Sequence, residues 1–264
     1  MFTLRIAFPK QTVFTVKTDC ENLLNLLRLK YGHYVSSLDH RDENTIIATK
    51  SGVKYKVLFN DERYYTEHCV KKIDDIMYEY GQYDDSAYAI HGGAVEYNGG
   101  AYLIIASTTS GKSTLTSYLT SSGCGYITDD CILLDRESFM VCPFTTPIHL
   151  REGGYNVLKG IGCAPENIVF LDDIYIKRYV YTPPNLVNGS VPIKKIFFIT
   201  RTENENCVLS MNATERMIEL LKSPIKEYKL DAGHIGFISE LAKTPCERLY
   251  YKDMNFVLEV IKNG

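Results

Sequence analysis

Long apolar runs are missing from this chain. No segment approaches the roughly 20 consecutive apolar residues that a membrane-spanning helix needs, and the amino terminus, MFTLRIAFPKQTVF, lacks the basic head and apolar core of a secretory signal. A cytoplasmic protein is therefore expected. Clustered cysteine is missing too: Cys20, Cys69, Cys124, Cys131, Cys142, Cys163, Cys207 and Cys246 are scattered, with no CxxC pair and no histidine-spaced group. They read as reduced, small hydrophobes rather than as a disulfide frame or a zinc site. Blocks of like charge are absent and the formal net charge is -3. That balance argues against a general electrostatic grip on nucleic acid or on an anionic membrane. No internal repeat and no low-complexity tract is found.

What remains is a globular composition. The chain has 264 residues, of which 45% are hydrophobic and 23% charged, enough to bury a core in one large or two smaller domains. Residues 1 to 62 read as a small α+β unit. Strands are expected near Thr3–Phe8 and Val13–Lys17, then a helix capped by Asp19 and carrying Leu23, Leu24, Leu27 and Leu29, then strands near Ile46–Thr49 and Val53–Phe59. A second unit, residues 63 to 264, opens with a helix from Glu67 to Tyr80. Its apolar face carries Val70, Ile73, Ile76, Met77 and Tyr80, and Lys71, Lys72, Asp74 and Asp75 are expected to face water. A hairpin follows, Ala87–Tyr97 and Tyr102–Ile105, joined at Asn98-Gly99-Gly100.

The second hairpin strand delivers the chain into Ala106–Thr114, ASTTSGKST, ahead of a helical pattern with Leu115, Tyr118 and Leu119. Strand, glycine-containing turn and helix are the setting of a phosphate-binding loop. Backbone N–H groups and the positive helix end cradle an anion, Lys112 supplies charge to the β- and γ-phosphates, and Ser113 offers a hydroxyl to Mg²⁺. The nucleotide-binding candidates are Ser107, Thr108, Thr109, Ser110, Gly111, Lys112, Ser113 and Thr114. The usual pattern has glycine where this chain has Ala106. Beyond the helix, Tyr126–Thr128 and Cys131–Leu134 read as strands around Asp129-Asp130. Residues 135–190, rich in Pro and Gly, read as loops, short strands or a lid. Ile196–Ile199 is a buried strand, Asn212–Leu221 a helix, and the last 40 residues are helical in pieces.

The constellation of His91-Gly92 in HGGAV, the hairpin, GKST, and Asp129-Asp130 in YITDDCILLD resembles the catalytic domain of the HPr kinase/phosphorylase family. That family is similar in fold to phosphoenolpyruvate carboxykinase. His91 lies 21 residues before Lys112 and Asp130 lies 18 after it, separations like those of the family. The resemblance covers roughly residues 63–225. It implies an α/β (α+β) fold with a P-loop core carrying the small N-terminal unit, and ATP with Mg²⁺ as cofactors. It also implies Asp130 as acceptor of the substrate hydroxyl proton. Asp129 is then expected to act through metal-bound water or by fixing His91, because neighbouring strand side chains point to opposite faces unless the chain bends. The family's signature after the Asp pair carries a Glu and an Arg. Here PIHLREGGYNV offers His149, Arg151 and Glu152, with Glu152 a candidate metal ligand beside Ser113. Arg151 and Arg201 are candidate phosphate clamps, since a planar guanidinium grips phosphate oxygens in pairs.

The function expected is an ATP-dependent kinase that transfers the γ-phosphoryl group to a hydroxyl, most readily a Ser or Thr of a protein or peptide. A small-molecule kinase for a free amino acid or polyol and a nucleotide-binding regulatory pseudokinase are the alternatives. The acceptor, a choice between ATP and GTP, and homo-oligomerisation are left open by the sequence. The N-terminal unit is expected to help select the acceptor.

Overall fold

The computed structural model describes residues 1–8, 12–36, 44–81, 86–107, 110–166, 168–173, 176–225 and 228–264. The chain divides into two compact units, Met1–Asp85 and Ser86–Gly264.

The first unit is a five-stranded sheet with two helices. Its elements are β1 (Phe2–Ala7), β2 (Val13–Thr18), α1 (Glu21–Tyr31), β3 (Asn44–Ser51), β4 (Lys54–Phe59), β5 (Glu62–Thr66) and α2 (Cys69–Gly81), and the strands lie in sequence order. β2 and β3 are parallel, which requires a crossover, and α1 is that crossover. Leu23, Leu24, Leu27 and Tyr31 of α1 are buried, as are Ile73, Ile76 and Met77 of α2 and Ile6, Phe14, Val16, Ile46, Val57 and Phe59 of the sheet. The unit reaches Asp85 rather than the expected residue 62, because β5 extends the sheet along β4 and α2 packs on β4.

Two local expectations are corrected. Asp19 does not cap α1, whose first turn has no side-chain cap; its carboxylate accepts the Lys50 N–H instead. Asp74 does not face water. It is buried, accepting from Lys30 Nζ and Tyr31 Oη, each at 2.5 Å, so it cross-links the two helices. Burial raises its carboxyl above the usual range against the pull of Lys30.

The second unit is mixed α/β. Its first elements are β6 (Ala87–Tyr97), β7 (Gly100–Ile105), α3 (Lys112–Ser121), β8 (Gly125–Thr128), β9 (Cys131–Asp135), β10 (Met140–Cys142), β11 (Ile148–Leu150) and α4 (Glu152–Gly160). Then come β12 (Val169–Asp173), β13 (Ile176–Tyr181), β14 (Val191–Arg201), β15 (Cys207–Ser210), α5 (Ala213–Lys222), α6 (Ala232–Leu241), β16 (Cys246–Tyr251) and α7 (Met254–Asn263). The large sheet runs β10-β9-β6-β7-β14-β16-β15, with β8 also paired to β6. A small sheet of short strands, β11-β13-β12, lies within the stretch expected to hold loops, short strands or a lid.

The centre of the large sheet, β7-β14-β16, is parallel and apolar on both sides. Leu115 and Leu119 of α3 and Val257, Leu258 and Ile261 of α7 pack with Tyr102, Ile104, Phe197 and Leu249. Leu220 of α5 and Phe237, Ile238 and Leu241 of α6 pack with Leu103, Ile105 and Ile196. Strands covered on both faces read as continuous apolar runs, as Tyr102–Ile105 and Ile196–Ile199 do. β16, CERLYY, pairs with β14 in place of part of the helical tail expected there.

Among the described residues no helix is long and apolar enough to cross a membrane.

β6 and α3 approach closely at Gly93. A Cβ there would sit 2.6 Å from Thr116 Oγ1, and that hydroxyl is itself held on the Lys112 carbonyl at 3.0 Å. Gly93→Ala should therefore push α3 outward and cost about 1–3 kcal/mol, the usual penalty for overpacking. Urea unfolding measures it; a midpoint equal to wild type would show that α3 is free to shift.

Candidate functional site

β7 ends at Ile105, and Ala106 and Ser107 lead off it toward the N-terminus of α3. Thr108 and Thr109 lie outside the described residues. Gly111 precedes the helix with φ +87°, and a Cβ on it would lie 3.1 Å from the Tyr251 hydroxyl. Both facts favour glycine here, since the left-handed region penalises any side chain. The first turn of α3 has no side-chain cap, so its N–H groups stay available to a ligand and carry the positive end of the helix dipole.

Lys112, the first residue of α3, is buried, with a relative exposure of 7%. Its Nζ donates to the Asp129 carbonyl at 2.5 Å and lies 3.6 Å from Asp130 Oδ1. The chain bends at Asp129-Asp130, between β8 and β9, so neighbouring carboxylates gather around one ammonium instead of pointing to opposite faces. Their surroundings differ. Asp129 is only 2% exposed, with the Ser113 and Thr116 hydroxyls favouring its charged form, and its Oδ1 has no hydrogen-bond partner. Burial pushes its carboxyl up to about 6; Lys112 pulls the other way and Asp130 adds to the rise. Asp130 is exposed.

His91, midway along β6 at the last of its pairs with β9, leans on the Asp130 backbone carbonyl, and its backbone N–H donates to the Ser223 carbonyl at 3.0 Å. Withdrawal from water and the nearby Lys112 charge lower its pKa, with Asp130 opposing. The ring is thus mainly neutral at pH 7. Asp129 was one candidate for fixing His91; the ring leans on Asp130 instead.

These groups open on a cavity of about 520 Å³. Ser107, Ser110, Gly111, Lys112, Ser113 and Thr114 line one wall, with His91 and Asp130 beside them. The lining is strongly cationic: Arg151, Arg178 and Arg201 also border the cavity, as does His149. Both expected clamps, Arg151 and Arg201, are thus on the cavity. Glu152 is not among its lining residues and is exposed on the first turn of α4. The cavity borders α4 at Gly153, Gly154 and Val157, so the uncapped N-terminal turns of α3 and α4 face one space.

Arg178 escaped the sequence reading. It sits in IKRYVY, and only the pairing of β13 with β11, Leu150 against Tyr179, brings it next to Arg151. No local signal marks it.

No family model matches the chain, and no curated protein does. Among solved structures, the HPr(Ser) kinase/phosphatase of Coxiella burnetii is similar at 12% identity and a TM-score of 0.33. That match spans 66% of this chain and 94% of the other.

The state of Asp129 gives a pH signature. Its ionisation is resisted more in the folded chain than in the unfolded one, so its contribution to stability is full below the ordinary value of 3.8 and is lost as pH rises through about 6. Urea midpoints measured without nucleotide, in a chelator, should fall over that interval in wild type, and Asp129→Asn should remove this component. An identical pH profile in the variant would show that Asp129 ionises freely.

Proposed function

We propose that this chain binds Mg²⁺-ATP at the loop between β7 and α3 and transfers the γ-phosphoryl group to a hydroxyl acceptor. The observation that carries the reading is the placement of the Lys112 ammonium, on the loop, against both Asp129 and Asp130. Phosphoryl transfer needs charge neutralisation, alignment and a group to take the hydroxyl proton, and little covalent chemistry from the protein.

The residues divide those tasks. Backbone N–H groups of Gly111, Lys112 and Ser113 would hold phosphate oxygens, and Lys112 would bridge the β- and γ-phosphates. Arg151, Arg178 and Arg201 face the same space and match phosphate geometry. The buried, unpartnered Asp129 Oδ1 beside the Ser113 hydroxyl fits a magnesium ion, which takes one or two carboxylates and shares the rest of its shell with water and phosphates. When bound there, the ion supplies neutralisation of phosphate charge. The absence of a cluster of three His, Cys, Asp or Glu among the described residues is compatible with so sparse a shell. Asp130, exposed, is the proton acceptor, and the His91 ring on its carbonyl orients it.

Lys112→Ala should weaken Mg²⁺-ATP binding about tenfold or more, the scale of a lost charge-assisted contact. Asp130→Asn should leave binding in place and lower kcat about 10²-fold or more, as loss of a general base does. Equilibrium titration with ATP and single-turnover transfer read the two separately. Wild-type binding by Lys112→Ala would remove the phosphate-loop assignment, and wild-type turnover by Asp130→Asn would remove the base.

A further inference from the structure

A second cavity, about 380 Å³, adjoins the first. Its floor is the carboxyl end of the parallel strands, with Phe198 and Thr200 of β14 and Arg248 and Tyr250 of β16, and its side wall is the last turn of α5 with Lys222. This is where open α/β sheets place ligands. It meets the first cavity at His91 and Ser107, which line both.

The position of the junction decides what the second cavity can hold. Lys112 reaches the β- and γ-phosphates in the reading above, Asp130 lies beside Lys112, and His91 leans on Asp130. His91 therefore marks the γ-phosphate end of the first cavity. On that reading, a ligand entering from the second cavity would meet the nucleotide at its γ-phosphate. In-line transfer requires the acceptor hydroxyl at that phosphorus.

Charge narrows the acceptor further. The Arg248 guanidinium is neutralised by Glu219 at 3.0 Å. Lys222 pairs with no carboxylate of the described residues, so it leaves the cavity one net positive charge. It also stands close to the junction: its neighbour Ser223 accepts the His91 N–H at 3.0 Å, and Pro224 bridges to Ile90.

We propose that the second cavity seats the acceptor and that Lys222 holds a carboxylate carried close to the acceptor's hydroxyl. The substrate class is a hydroxy-carboxylate, either a free hydroxy amino acid or a peptide ending in serine. This rests on the kinase reading of the first cavity. In the reaction the acceptor O–H proton passes to the Asp130 carboxylate and the oxygen bonds to the γ-phosphorus. The bond from that phosphorus to the β,γ-bridging oxygen breaks, and its electron pair leaves on ADP.

The test uses the full chain and two acid–amide pairs: L-serine with L-serinamide, and a tripeptide ending in serine as free acid and as amide. Calorimetric titration reads the cavity without any transfer, and γ-phosphoryl transfer from Mg²⁺-ATP reads the chemistry. One acid should bind and react at least about tenfold better than its amide, and the pair that does so identifies the source of the carboxylate. Lys222→Gln should bring that ratio toward one, while Lys222→Arg should preserve it. Equal use of acid and amide, no binding of any probe, or a Lys222→Gln variant that loses affinity for Mg²⁺-ATP instead would overturn the assignment. Acid-selective binding that depends on Lys222 but brings no transfer would keep the cavity's ligand and overturn the kinase reading alone.

Discussion

The buried ammonium of Lys112 is the constraint around which the second unit is organised. A charge that deep is costly unless it is hydrogen-bonded and paired. Here the Asp129 carbonyl takes it at 2.5 Å and the two carboxylates compensate it. Those partners arrive 17 and 18 residues later in the chain, so the ammonium can be satisfied only if the β8–β9 bend is delivered to the loop. β6 does the delivering. It pairs with β7 on one side and with β8 and β9 on the other, and so fixes loop and bend on neighbouring strands. Sheet pairing and site chemistry are the same requirement here.

One consequence is that two chemically identical side chains become different. Asp129 turns inward, where desolvation favours its neutral form, with its unpartnered Oδ1 near Gly93. Asp130 turns to the cavity and keeps water around it. Adjacent residues could not diverge this way along a straight strand while both still faced Lys112. The bend provides the geometry and the depth of burial provides the difference in basicity.

Much of this was legible in the sequence because the signals were local. The apolar runs of β7 and β14, the hairpin at Asn98-Gly99 and the strand-to-helix setting of GKST need only neighbouring residues to be read. The loop and Lys112 were picked out from them, the Asp pair through the resemblance, and Arg151 and Arg201 as candidates because a guanidinium grips phosphate oxygens. What stayed hidden depends on distant pairing. β16 reads as a polar segment until β14 is beside it, and Arg178 has no meaning until β13 aligns with β11. Asp74 looked like one of four solvent-facing charges on α2; its partners Lys30 and Tyr31 lie on another helix. Glu152 was a candidate metal ligand because the resembling family carries a Glu and an Arg after its Asp pair; here it is exposed on the first turn of α4 and is not among the residues lining the cavity.

The distribution of charge explains how a chain with net charge -3 can favour a polyanion. Four permanent cations, Lys112, Arg151, Arg178 and Arg201, border the first cavity, against one lining carboxylate, Asp130. The two uncapped helix ends of α3 and α4 add further positive potential. A concave, partly dry site focuses such a field, whereas the negative charge spread over the rest of the surface is screened within about 10 Å in ordinary salt. Such a field would favour a compact anion able to enter the cavity over one lying on the surface. The second cavity, with only Lys222 uncompensated, suits a ligand of lower charge. On the proposed reading, the step across His91 from three net positive charges to one among the described lining residues would separate a polyphosphate from its acceptor, with Asp130 between them.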